Sequence, residues 1–169
     1  EAGERFTLAD VAGKAIRGWN SRGHTARTTY DELRRPVQTY LRSGGAPELL
    51  LSRLVYGETQ PQPEARNLRS RLYQASDGAG ISTTDSYDFK GNALRVRRQL
   101  AVEYKQILDW SQQVALEADS YASVSVFDAL NRPVALTTPD NSTIRPRYNE
   151  ANLLDGITVN LRGRASATT

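Results

Sequence analysis

Phe127-Asp128-Ala129-Leu130-Asn131-Arg132-Pro133 is the stretch on which the reading of this chain turns. An Asp opens its tetrad, an Asn closes it, and an aromatic stands just before. Asp at the first turn position accepts hydrogen bonds from the backbone two residues on. Asn or Gly at the fourth tolerates positive φ, as in a type I turn that runs into a G1 bulge. The tetrad [Asp/Asn]-x-x-[Gly/Asn/Arg] recurs as Asp10–Gly13, Asn20–Gly23, Asp31–Arg34, Asp77–Gly80, Asp88–Gly91 and Asn149–Asn152. Five of the seven copies follow an aromatic: Trp19, Tyr30, Tyr87, Phe127 and Tyr148. Arg34 departs from the closing Gly or Asn and weakens its copy.

Successive first positions lie 10, 11, 46, 11, 40 and 21 residues apart. A tight turn plus a strand of six or seven residues uses about ten or eleven. The intervals of 21 and 40 are therefore close to two and four such units. Between the turns the chain alternates with period two. Ile157, Val159 and Leu161 alternate with Thr158, Asn160 and Arg162; Val124 and Val126 with Ser123 and Ser125; Leu94 and Val96 with Arg95 and Arg97. Each pattern has one apolar and one wet side. The expected fold is mainly β, an antiparallel hairpin or meander strip over residues 1–164.

Two stretches interrupt the rhythm and read as insertions, at about 60–71 and 103–120. Pro61 and Pro63 mark a turn, and Glu64–Arg71 is expected as a short helix starting near Pro63. Residues 103–120 read as a long loop around Trp110 with one helical turn. The last residues, 165–169, are expected to be a disordered tail.

Composition narrows the chemistry. The 169 residues suit one domain, or one slice of a longer architecture, and no apolar run reaches the roughly 18–20 residues a membrane helix needs. With no Cys there is neither disulfide nor thiolate, and the absence of Met makes the chain read as an excised piece. The single His, His24, follows a turn Gly with no nucleophile or orienting carboxylate nearby, so it is read as a surface residue. The turn carboxylates stand a hairpin apart, unlike the alternate-position ligands of a Ca²⁺ loop. Asp77-Gly78-Ala79-Gly80 lacks the continuation of a phosphate loop. No catalytic, cofactor or metal site is therefore expected. Three Lys against 19 Arg carry the net charge of +3, but the arginines are dispersed among acids. Arg95, Arg97 and Arg98 read as a solvated or salt-bridged strand face, not a nucleic-acid footprint.

The tetrads carry a likeness. Tyr30-Asp31-Glu32-Leu33-Arg34-Arg35-Pro36, Tyr87-Asp88-Phe89-Lys90-Gly91-Asn92 and Phe127–Pro133 resemble degenerate YD repeats of the Rhs family. Tyr148-Asn149-Glu150-Ala151-Asn152-Leu153 is a fourth copy and Trp19-Asn20-Ser21-Arg22-Gly23-His24 a weaker fifth. The resemblance spans roughly residues 4–162 and is nearest to the B/C-type components of insecticidal toxin complexes and related virulence-plasmid proteins. It implies a β strip that spirals into a hollow shell around a toxic C-terminal polypeptide. The family's Asp-Pro-x-Gly element, linked to self-cleavage, has no match here, so its catalytic aspartates fall on no residue of this chain.

The resulting expectation is a non-enzymatic wall segment of a secreted or cell-surface bacterial protein, partnered by further repeats and the enclosed cargo. The alternative is an extracellular glycan- or receptor-binding module that uses an aromatic such as Trp110; a hydrolase built on Asp and Glu pairs is the least supported. Residues 4–9 and 154–161 are the expected free sheet edges, through which the chain could self-associate.

Overall fold

The structure, a computed structural model, describes residues 3–164 and the backbone of 167–168. It is nearly all β. The strands are β1 (Arg5–Ala9), β2 (Ala15–Asn20), β3 (His24–Tyr30), β4 (Pro36–Ser43), β5 (Leu49–Tyr56), β6 (Leu72–Asp77) and β7 (Gly80–Tyr87). They continue as β8 (Ala93–Leu100), β9 (Tyr121–Phe127), β10 (Pro133–Thr137), β11 (Thr143–Tyr148), β12 (Leu154–Asn160) and β13 (Ala167–Thr168). Their order in the sheet is their order in the chain, so the topology is a meander.

The chain divides into two compact units. The first comprises residues 1–55, 74–81 and 100–118; the second comprises 56–73, 82–99 and 119–169. In the first unit, the turns at Asp10 and Asp31 lie at one end of the strands, and those at Asn20 and Ser43 at the other. In the second, the turns at Asp88, Asp128 and Asn149 share one end, opposite those at Thr138 and Leu161. Four register shifts fall beside the turns, at Leu8/Ala9, Thr29/Tyr30, Pro133/Ala135 and Arg147/Tyr148. That is where a G1 bulge places its extra residue. A further one lies within β4 at Thr39/Tyr40.

Burial is sparse. Among the described residues only Leu50, Leu68, Ala101 and Leu108 are buried hydrophobics, and of these Leu68 alone is fully buried. Three of the four, Leu68, Ala101 and Leu108, sit in the insertions, which occupy 57–71 and 101–120 between flanking strands. No helix forms over Glu64–Arg71; the helical residues are instead a 3-10 turn at Gly57–Thr59. The 64–71 stretch closes on Leu68: Leu68 N–H donates to Pro63 O, and Arg71 N–H to Leu68 O. Positive φ at Gln62, Asn67 and Ser70 breaks any helical run. The expected helical turn in 103–120 is also absent; that loop is pinned by an Ala101↔Leu116 bridge.

At the C-terminus, Ala167 and Thr168 pair with Val159 and Thr158, so these two residues are strand where a disordered tail was expected. Residues 165, 166 and 169 lie outside the described residues. That pairing covers part of β12, which is therefore not a free edge, whereas β1 ends the strand order with all five residues exposed.

The apolar sides of successive strands do not line up. Directly paired residues share a sheet face. Val96 pairs with Ser123 and Arg95 with Val124, so the valines of β9 share a face with Arg95 and not with Val96. On the far side of β9 the pattern is interrupted again, with Leu136 opposite Ser125. The apolar match resumes at Leu136↔Ile144 and Ile144↔Val159. Arg97 holds Asp85 through both carboxylate oxygens at 2.6–3.0 Å, while Arg98 reaches Ser82 Oγ at 3.3 Å.

Candidate functional site: the repeated turn and its tyrosine clamp

The turn at Asp128 is a closed five-residue unit. Asp128 N–H donates to Arg132 O at 3.0 Å, and Asn131 N–H donates to Asp128 O at 3.1 Å. Asp128 Oδ1 then accepts the N–H groups of Leu130 (2.8 Å) and Arg132 (3.0 Å), while Oδ2 accepts Arg132 Nε (2.7 Å). The two backbone bonds repeat at Asp10, Asp31, Asp88 and Asn149. In each, the side-chain oxygen accepts the N–H four residues on, from Lys14, Arg35, Asn92 and Leu153. Asn20 accepts from Arg22 and His24 in the same way. His24 is thus the fifth turn residue, and it is half-buried instead of fully exposed.

The closing position is left-handed throughout: Gly13, Gly23, Arg34, Gly91, Asn131 and Asn152 have φ between 61° and 101°. Arg34 adopts φ 61° despite its Cβ, and its guanidinium reaches the Asp10 carboxylate of the neighbouring turn.

Asp77–Gly80 is a different turn. Asp77 and Gly80 end β6 and begin β7, leaving a two-residue loop, and Gly80 has φ 139°. A further copy lies where the spacing of 21 left room for one: Thr138-Pro139-Asp140-Asn141-Ser142. Thr138 N–H donates to Ser142 O, Asn141 N–H to Thr138 O, and Asn141 has φ 63°. Thr stands in the Asp place without a preceding aromatic, so the tetrad pattern misses it. Its carboxylate comes from Asp140, whose oxygens accept the Thr138 and Ser142 hydroxyls.

These bonds favour ionised carboxylates. The Thr138 hydroxyl, then the N–H and hydroxyl of Ser142 and the Arg162 side chain, hold Asp140 far below the ordinary range. Asp10 is lowered mainly by Lys14 N–H, and Asp128 by Arg132 N–H. At Asp31 and Asp88 partial desolvation, which raises the pKa, is the largest single effect. It is outweighed by the combined hydrogen bonds from Arg35 and Asn92 and their neighbours, so both end low.

The aromatic before the tetrad does more than cover the sheet. Tyr30, Tyr87 and Tyr148 each send the hydroxyl to a carbonyl 15 residues upstream: Ala15 (2.7 Å), Leu72 (2.5 Å) and Pro133 (3.1 Å). Each acceptor is the first residue of the preceding strand. Immediately before it stands a cation over the ring: Lys14, Arg71 and Arg132, at 5.6, 5.3 and 4.5 Å from the centroids. Phenol and cation together clamp two strands where the ladder has stopped, since β2 and β3 pair only as far as Arg17↔Arg27, and β10 and β11 as far as Leu136↔Ile144. Trp19, at the opposite strand end, stacks on Phe6 instead at 5.9 Å.

Neighbouring turns are also tied to each other. Lys14 Nζ donates to Arg34 O, Lys90 Nζ to Ala129 O, Asn92 Nδ2 to Asn131 Oδ1 and Arg132 to Asn152 Oδ1. Trp110 is half-buried; its indole N–H donates to Asp77 O, and its backbone N–H donates to Leu50 O. No cluster of His, Asp and Glu able to hold a metal ion occurs among the described residues. Among the same residues no helix is long and apolar enough to cross a membrane.

This geometry defines an open antiparallel meander built on a repeated Asx turn. Neither a known family's sequence profile nor any curated protein sequence matches the chain. Solved structures do. The chain is similar to a TcdB2-TccC3-Cdc42 structure, with TM-score 0.90 and 21% identity over 99% of its length. It is also similar to TcdB2-TccC3-TEV and to a Photorhabdus luminescens Tc holotoxin pore, each at TM-score 0.89 and 22% identity over 98% of its length. It spans 8% of the length of each of those chains. The fold is thus of the kind found in toxin-complex β structures.

Proposed function

We propose that this chain is a non-enzymatic wall segment of an Rhs/YD-repeat shell, part of a larger secreted or cell-surface bacterial protein, enclosing a C-terminal toxin or effector polypeptide. The observation that carries the reading is the turn lattice. Each turn is self-contained, yet the turns at Asp10 and Asp31, and those at Asp88, Asp128 and Asn149, are hydrogen-bonded to their neighbours at the same strand end. A sheet built this way extends by adding hairpins and needs no second layer over either face. The likeness to toxin-complex structures at 98–99% coverage supports the same reading. Turn side chains spend their polar atoms on backbone and neighbours, which leaves them as scaffold and not as reactive groups.

Limited proteolysis of the natural protein that contains these residues tests the proposal. A polypeptide that resists protease until the shell is unfolded is the expected result. Digestion of all segments at one rate would overturn it.

A further inference from the structure

The first five strands carry five arginines, Arg5, Arg17, Arg27, Arg42 and Arg53, and no Asp or Glu. In the second unit the strands bring their own counter-charges: Asp85 takes Arg95 and Arg97, and Asp155 takes Arg147. Arg17, Arg27, Arg42 and Arg53 lie 10, 15 and 11 residues apart in the chain, yet register gathers them on one sheet face. Leu8, Arg17, Arg27 and Tyr40 form one row of paired residues across it. The row to one side runs Phe6, Trp19, Thr25, Arg42, and the row to the other runs Thr29, Gln38, Arg53. Arg5, paired with Asn20, is on the opposite face. The acid that answers this group is Glu48, just before β5. Arg27 Nε and one terminal nitrogen donate to its two oxygens at 3.1 and 2.6 Å. That fork, with the charges of Arg17 and Arg42 beyond it, holds the Glu48 carboxylate below its ordinary range. The exposed side chains of Arg17, Arg42 and Arg53 make no hydrogen bond or ion pair of their own among the described residues. Arg17 also stands directly opposite Arg27, a like-charge pairing that costs stability.

We propose that this face binds an extended acidic polypeptide segment, with Asp or Glu at alternate positions set against Arg42, Arg17 and Arg53. The three cations stand in three successive rows. Rows two residues apart are spaced by about 7 Å, as are alternate side chains of an extended chain. A segment lying along β3 therefore offers one carboxylate per row. It has Arg17 one strand to one side, and Arg42 and Arg53 one and two strands to the other, about 5 and 10 Å away at the backbone. Guanidinium forks match carboxylates, as Arg27 already does with Glu48. A nucleic acid is less well served. The free cations sit on β2, β4 and β5 instead of tracking one line, and the rings that bases would stack on are engaged, Phe6 by Trp19 at 5.9 Å and Tyr40 by Arg27 at 3.9 Å.

The test titrates the 169-residue chain with acetyl-(Glu-Thr)4 amide at low salt and follows backbone amides and arginine Nε–H groups by NMR. Saturable shifts centred on Arg17, Arg42 and Arg53 are expected, weakening as salt is added. The corresponding Gln-Thr peptide should bind at least tenfold more weakly. So should the acidic peptide on Arg17→Gln/Arg42→Gln/Arg53→Gln, whereas Arg145→Gln, at an exposed arginine of the second unit, should change nothing. Arg42→Gln/Arg53→Gln, expected to weaken binding at least threefold, serves if the triple variant does not fold. Absence of shifts at millimolar peptide or equal binding of the glutaminyl peptide would overturn the proposal. So would tighter binding of an oligothymidylate of equal charge, an equal loss in Arg145→Gln, or affinity unchanged in the folded multiple variants.

Discussion

The repeated turns and the two insertions are held by different forces. A turn such as Asp128–Arg132 closes within five residues through backbone bonds and one carboxylate, and its tip side chain Leu130 is 62% exposed. The 57–71 insertion closes around Leu68, which has no exposed surface, with Gly57 packed so closely that an added Cβ would lie 2.5 Å from Leu68 Cβ. The 101–120 insertion buries Leu108 and reaches back to β5, where Asp109 Oδ1 accepts Leu50 N–H at 3.0 Å. Polar local closure makes a repeat that can be copied. Apolar closure makes a plug that fits one place.

The contrast predicts the largest loss at a plug. Leu68→Ala should destabilise the second unit by about 2–5 kcal/mol, the usual cost of emptying a packed leucine site. Gly57→Ala should be comparably harmful through overlap instead of a void. Denaturant melts followed by hydrogen exchange in 56–73 measure both, and a loss below about 1 kcal/mol for Leu68→Ala would refute the plug.

Acid should strike the turns. The folded-state pKa values of Asp10, Asp31, Asp88, Asp128 and Asp140 are all depressed below 3.8. Their contribution is therefore complete above the unfolded value and is lost as pH falls through the folded ones. Melting temperature should hold down to about pH 4 and then fall, with turn amides losing exchange protection before Leu68 does. The reverse order of loss would contradict the division.

Smaller again is the clamp. Tyr148→Phe removes one hydroxyl from Pro133 O and should cost about 1 kcal/mol, while Phe127→Leu, which loses no hydroxyl, should leave the end of its junction no more open to exchange than before. The smallest effect concerns β1, whose outer side ends the sheet order. Light scattering should show concentration-dependent association, reduced by Leu8→Lys because a charge on an edge strand disfavours pairing. A monomer at millimolar concentration would show that this edge is already protected.

Much of this was legible from the residues alone. The Asp31, Asp88, Asp128 and Asn149 turns can be read because every bond that makes them spans four residues or fewer, so composition and geometry coincide. Thr138–Ser142 escaped because its carboxylate sits at the third position, in Asp140, instead of the first. The clamp escaped because Tyr148 and Pro133 lie 15 residues apart, a distance that only the hairpin path brings to contact. The helix expected over Glu64–Arg71 gives way to a loop in which Asn67 and Ser70 take positive φ around the buried Leu68, contacts that no local periodicity encodes.

What the sequence determined by itself was the meander: turn chemistry at hairpin spacing, and period-two strands between. Which faces those strands share was settled only by register, since alternation places Val124 and Arg95 on definite sides of their own strands but not on a common one. The docking of Asp109 on Leu50, 59 residues away, likewise exists only in the folded sheet. The physical reason is the range of the forces. Turn hydrogen bonds act within a few residues, whereas register, burial and cavities depend on groups that the chain must first bring together.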